Sequence, residues 1–213
     1  MEKRLLLILL WFGTMSVGAG FLQAQSFDLG IRATPQLTLT DFDREKGYAA
    51  GLEGLFGWHP CPRIGLEGGL GLRHMTVRHL LIDNTDQIPG DGLAVQSTGM
   101  LTVPARLRLG IHRPDAIRRL WLDLGFTLGL PLTESVRWEG EGWENPEPYM
   151  HYPGQKTWKF IDVGLEVDVP LAENHRIGFG LNYQAHPLTS GGRSMRAWLH
   201  LPGFSIRISR SWK

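Results

Sequence analysis

From Phe27 onward, apolar and polar residues alternate with a period of two, and they do so in eight successive runs. Phe27, Leu29, Ile31 and Ala33 alternate with Asp28, Gly30, Arg32 and Thr34. Tyr48, Ala50, Leu52, Gly54, Phe56 and Trp58 repeat the pattern, as do Ile64, Leu66, Gly68, Leu70 and Leu72. Then come Leu101–Ile111, Leu120–Leu132, Ile161–Leu171, Ile177–Ala185 and Phe204–Trp212, the last preceded by a less regular Arg196–Leu201. Successive side chains of a strand point to opposite faces, so each run predicts a β-strand with one apolar face. Helical periodicity is almost absent, which leaves an all-β chain.

The second face separates a soluble sandwich from a barrel in a membrane. It carries Arg32, Glu53, Glu67, Arg73, Arg106, Arg108, Asp123, Asp162, Glu166, Asp168 and Arg207, interspersed with glycines such as Gly30, Gly69, Gly125 and Gly178. A narrow lumen needs such small residues, whereas a water-facing strand has no use for them. Several runs reach the roughly 9–11 residues that cross a bilayer at a tilt. Trp58, Trp158, Trp198 and Trp212 fall near strand ends, where an interfacial girdle belongs.

Connection lengths agree with that choice. The second (His59–Arg63) and sixth (Ala172–His175) are short, and the fourth (His112–Arg119) is intermediate. The third (Arg78–Ser97) and fifth (Thr133–Thr157) are the longest, while the first (Thr40–Lys46) and seventh (Thr189–Met195) are modest. Long loops on one side and short turns on the other are the pattern of bacterial outer-membrane barrels. The expected fold is an eight-stranded antiparallel transmembrane up-and-down β-barrel.

The N-terminus is expected to be a targeting segment. Lys3 and Arg4 precede an apolar run from Leu5 to Phe21, and Leu22-Gln23-Ala24 places a small residue before Gln25. That order predicts a signal peptide over residues 1–24, export through the Sec pathway, and a barrel domain over 25–213. With 22 basic against 21 acidic side chains, the chain shows no basic stripe of the kind that binds nucleic acid. One cysteine, Cys61, excludes an internal disulfide or a Cys-based zinc site.

Two paired segments carry a family resemblance. Leu101-Thr102-Val103-Pro104-Ala105-Arg106-Leu107, followed after a turn by Leu120-Trp121-Leu122-Asp123-Leu124-Gly125-Phe126-Thr127-Leu128-Gly129, resembles the PorT-like outer-membrane β-barrel proteins of Bacteroidota. Phe27-Asp28-Leu29-Gly30-Ile31-Arg32-Ala33 and Asp162-Val163-Gly164-Leu165-Glu166-Val167 are similar to that family's first and sixth strands. The resemblance covers most of the chain after residue 24 and implies an integral barrel; some members of the family serve type IX secretion. Two features depart from the pattern: Lys213 follows the terminal Trp212, and Pro104, Pro131, Pro170 and Pro202 fall within strands.

The lumenal charges form the most conspicuous constellation. They comprise five arginines and six acids, and Arg106 is expected to lie beside Glu67 and Asp123. An eight-stranded barrel is just wide enough for its own side chains, so mixed charges predict a structural plug rather than an ion path. A barrel hydrolase acting on lipid A would need a Ser/His pair, and His186, Ser190 and His200 lie near one strand end. Pro187-Leu188-Thr189 between the first two spoils the spacing, and the expectation is a non-enzymatic protein. A soluble periplasmic lipocalin-like domain is the third alternative. No metal or cofactor is expected: His74 and His79 sit on opposite strand faces, and Asp83-Asn84-Thr85-Asp86 reads as a turn.

The fifth connection gathers Trp138, Trp143, Tyr149 and Tyr152 among five glutamates. Aromatics of this kind anchor interfaces, which points to contact with an envelope protein or glycan; the alternative is a loop that folds over the barrel mouth and buries those rings on itself. Outer-membrane lipid, and the barrel-assembly machinery during biogenesis, complete the expected partners of an outer-membrane protein of a Gram-negative bacterium.

Overall fold

The computed structural model describes residues 26–40, 46–81, 92–113, 116–139, 157–189 and 196–212. The predicted signal segment and the tips of the long loops lie outside the described residues. Eight strands follow in order: β1 (Ser26–Thr40), β2 (Gly47–Cys61), β3 (Ile64–Leu81), β4 (Gly92–Gly110), β5 (Arg119–Glu139), β6 (Trp158–Ala172), β7 (His175–Thr189) and β8 (Arg196–Trp212). Each pairs antiparallel with its sequence neighbour, and β8 closes on β1 through pairs such as Arg32↔Arg207. Closure gives every strand two hydrogen-bonded neighbours, so the wall satisfies its backbone polar groups from strand to strand rather than through water.

Burial follows the alternation. On β1, Asp28, Gly30, Arg32, Thr34, Gln36 and Thr38 are buried, while Leu29, Ile31, Ala33 and Leu37 are exposed. The wall is inverted relative to a soluble protein: Leu181 is 72% exposed and Leu70 62%, whereas Arg108 and Arg207 are each 1% exposed. Small residues make room for this interior. A Cβ on Gly178 would come within 2.6 Å of Asp168 Oδ1 and 2.9 Å of Glu166 Oε1.

The two ends of the barrel differ. Turns at Pro62-Arg63 and Glu173-Asn174, the 111–118 connection and the outer ends of β1 and β8 share one end, here the turn end. The connections after β1, β3, β5 and β7 share the other, the loop end. Two of these are shorter than predicted, because β3 runs to Leu81, β4 starts at Gly92 and β5 runs to Glu139. The apolar alternation fades in these stretches while the ladder continues through Arg78↔Val95 and Ser97↔Ser135. Backbone pairing needs no apolar face, so alternation underestimates strand length wherever the strand has left an apolar surrounding. β5 pairs with β6 only as far as Gly129↔Trp158, so among the described residues 130–139 pair with β4 alone. β3, β4 and β5 therefore form a three-stranded extension at the loop end.

One further expectation is corrected. Trp158 belongs to no outer girdle: it is buried inside the barrel and stacks on Phe160, with ring centroids 6.1 Å apart. It shares the inward parity of Phe160 and Asp162, whereas Trp198 and Trp212 do face outward. The strand prolines interrupt the ladder only locally, with irregularities at Gly99/Met100 opposite Pro131 and at Pro170/Ala172.

Candidate functional site

The lumen is built in tiers. At the turn end, Trp121 is fully buried, with His59 at 5.5 Å and His112 at 5.0 Å between ring centroids. The Arg108 guanidinium sits over the same indole, 4.9 Å from its centroid. His59 reaches Asp28 at 3.1 Å, and His112 Nδ1 lies 3.0 Å from the Leu120 carbonyl.

Above this floor lies an ionic belt. Arg32 meets Glu166 at 2.9 Å, Asp123 at 3.2 Å and Glu67 at 3.3 Å. Arg108 meets Glu166 at 2.6 Å and Asp123 at 3.0 Å, with Glu67 and Asp168 each at 3.8 Å. Arg207 bonds Asp28 and meets Glu67 at 2.6 Å. Arg106 joins Glu53 at 2.8 Å, Glu67 at 3.3 Å and Asp162 at 3.4 Å. All eleven charged residues singled out in the sequence are buried here. Cross-strand pairing places Arg106 beside Glu67 and Arg108 beside Asp123. Asp123 is held by Arg32 and Arg108; Arg106 is not among its partners. Asp28 is a twelfth member that sequence reasoning quoted on the polar face without assigning it to the network, although its parity with Gly30 and Arg32 placed it there.

A neutral polar ring follows. Thr127 donates to Asp162 at 2.6 Å, Gln184 donates to the same carboxylate at 2.8 Å, and Gln36 donates to Gln184 at 3.1 Å. Arg73 bridges to the next tier, 3.8 Å from Glu53 and 5.0 Å above the Phe160 ring. At the loop end, Ala49, Met75, Val77, Met100, Trp158, Phe160, Leu199 and Leu201 pack into one apolar cluster inside the barrel. Sequence reasoning missed this tier and the Trp121 floor. Extending the inward parity of Arg73 to Met75 and Val77, and of Asp162 back to Phe160 and Trp158, would have found half of the tier.

Charges of both signs at this density hold the walls together and leave little room. A cavity against the belt, bordered by Arg32, Arg106, Asp162 and Asn182, holds about 20 Å³, enough for one water.

The histidines considered for hydrolysis do not converge. His186 is buried in the lumen beside Trp158 and Phe160, and its Nδ1 contacts the Lys159 backbone. His200 lies on the outer face, bonded to Tyr183. Ser190, Asp83–Asp86, Trp143, Tyr149 and Tyr152 lie outside the described residues, as does the side chain of Trp138. Among the described residues, no three His, Cys, Asp or Glu side chains are grouped to hold a metal ion.

No family model and no curated protein matches the chain. Several solved barrels are similar to it. The N-terminal β-barrel domain of OprF from Pseudomonas aeruginosa has 8% identity and a TM-score of 0.42, covering 86% of this chain and 97% of that one. Ail, the attachment invasion locus protein of Yersinia pestis, has 10% identity and a TM-score of 0.44, covering 89% and 100%. The outer membrane protease OmpT of Escherichia coli has 9% identity and a TM-score of 0.44, covering 89% and 97%.

Proposed function

We propose that this chain is an integral outer-membrane β-barrel whose lumen does not conduct and which works through its loop end as a non-enzymatic component of an envelope assembly. The observation that carries the reading is the contrast between wall and interior. A belt of exposed Leu, Ile, Val and Phe surrounds a lumen filled by ion pairs and, above them, by an apolar cluster. Water would penalise that exterior, and lipid would not. With the interior occupied by its own side chains, recognition falls to the β3–β4–β5 extension and the loops it carries. His186 and His200, on opposite sides of the wall, support a non-enzymatic role.

The resemblance to PorT-like barrels of Bacteroidota supports membership of a secretion or envelope complex, with type IX secretion as the first candidate. Export runs through the Sec pathway on the 1–24 segment, and the turn end faces the periplasm. Trp138, Trp143, Tyr149 and Tyr152 supply the aromatic anchors for an envelope protein or glycan.

The test has three readouts. The protein should fractionate with the outer membrane and migrate differently on gels before and after boiling. It should give no steady conductance in a planar bilayer. Deleting 139–151 should leave the boiling-sensitive band intact while removing co-purifying proteins from native membranes. Recovery without detergent as a soluble protein, or an unchanged partner set after the deletion, overturns the corresponding part.

A further inference from the structure

At the loop end the barrel wall gives way to an open strand edge. Trp121–Gly129 of β5 pair with both β4 and β6, whereas among the described residues 130–139 pair with β4 alone. The neighbouring strand ends early: Thr157 lies outside β6. On the β7 side, His186 Nδ1 lies 3.1 Å from the Lys159 backbone N and 2.9 Å from its O, and Pro187 has no N–H to extend the ladder. β5 and β7 continue past this level to Glu139 and Thr189, so their facing edges flank a place for one more strand. Thr133, Glu134, Ser135, Val136 and Arg137 are all exposed, so both faces of β5 meet solvent here. Folded proteins ordinarily cover an edge of this kind, because its N–H and C=O groups are a template for another strand.

Two occupants from this protein itself fit the edge poorly. Continuing the β5–β6 register backwards would set Pro148 against Glu139 and Pro153 against Glu134. Antiparallel positions alternate between bonded and non-bonded, and these prolines have opposite parity, so one of them would face β5 without an N–H. A second copy in the same membrane carries its β5 in the same direction. Two such edges could meet only in parallel, and in register Glu134 would sit beside Glu134. We infer that the edge takes an extended segment of a partner protein as an added strand, with a basic side chain opposite Glu134 and an apolar one opposite Val136. Running as β6 does, that strand would be antiparallel to β5. The pairs Thr98↔Glu134 and Gln96↔Val136 place Glu134 and Val136 on one face, with Thr133 and Ser135 on the other. Main-chain bonds along the edge supply affinity, and the alternate side chains supply selectivity through opposite charge and β-branched pairing. The inference rests on the reading that the loop end recognises a partner, and it names the chemistry of that contact.

The test uses the purified full chain in mild detergent and a labelled synthetic peptide of alternating Thr and Val with Lys in place of the central Val. Its binding should slow hydrogen exchange of backbone amides within 132–139. A peptide with Glu in place of that Lys, and one with a central Pro-Pro, should each bind about tenfold more weakly or worse. Glu134→Lys should reverse the preference in favour of the Glu peptide. Unchanged exchange within 132–139, or equal binding of the Pro-Pro peptide, overturns the added strand. A kept preference for the Lys peptide in Glu134→Lys overturns its placement. Where Glu134→Lys gives no boiling-sensitive folded band, Glu134→Gln decides: equal binding of the Lys and Glu peptides supports the placement, and a kept preference overturns it. The deletion of 139–151 separates the two levels. Partners lost on deletion, with no peptide effect on the wild-type edge, sink this inference alone, while an unchanged partner set sinks the loop-end reading beneath it.

Discussion

The lower and upper halves of the lumen solve one packing problem with opposite chemistry. Near the turn end, Arg32, Arg106, Arg108 and Arg207 reach across the interior to carboxylates on distant strands, and each makes two or more ion pairs. Near the loop end, Met75, Met100, Phe160, Leu199 and Leu201 fill the same cross-section by contact alone. The belt is tied to specific partners, because a buried charge without one is costly. The apolar tier needs only volume. The belt should therefore respond to the loss of any single group through the partners left behind, and the tier only in proportion to the space vacated.

Arg106→Leu breaks the comparison hardest. It strips Glu53 of its 2.8 Å partner and Asp162 of its arginine, while Glu67 keeps Arg32 and Arg207. Breaking a buried pair from one side costs about 3–5 kcal/mol. Urea unfolding in detergent micelles should show that loss, and adding Asp162→Asn, which leaves Glu53 facing Arg73, should restore part of it. A double variant no better than Arg106→Leu alone would mean that the stranded Asp162 is not the cause.

Leu201→Ala in the upper tier should cost about 2–3 kcal/mol, the ordinary cost of a vacated core side chain. The neighbouring Leu199→Met should cost less than about 1.5 kcal/mol, since the volume is nearly kept. If Leu199→Met proved as damaging as Leu201→Ala, the tier would need specific shape rather than volume. Gly178→Ala probes the belt from the other direction, by adding an atom to it. Its Cβ would crowd the Asp168 and Glu166 carboxylates that Arg108 holds, at a cost of about 1 kcal/mol.

The same contrast explains what could be read from the sequence. Period two assigned the faces of β1 to β8 because a lipid-facing and a lumen-facing residue differ sharply in polarity wherever the lumen is charged. Arg106 and Glu67 were visible as neighbours because they sit opposite each other on adjacent strands. The pairing of Arg32 with Glu166 was not, since it crosses the interior between residues 134 positions apart. In the upper tier, polarity stops distinguishing the faces: Phe160 points inward and Ile161 outward, and both are apolar. Trp158 was assigned to the girdle for that reason. Only parity carried over from the charged half separates the two faces, and the bulge at Gly99/Met100 shows how locally that parity can slip.

The smallest effect is expected where neither solution operates. In the β3–β4–β5 extension, Glu134 is exposed and accepts a hydrogen bond from Gln96 on the neighbouring strand, while Val136 is 39% exposed. Among the described residues, 130–139 of β5 pair with β4 alone. Solvent competes for the Gln96–Glu134 bond, and a surface substitution of this kind stays within about 0.5 kcal/mol. Glu134→Gln should therefore leave the urea midpoint and the boiling-sensitive band of the barrel unchanged. A loss approaching that of Arg106→Leu would show the extension unfolding as one unit with the belt. It would also make the loop end a structural part of the barrel rather than a separable platform for binding.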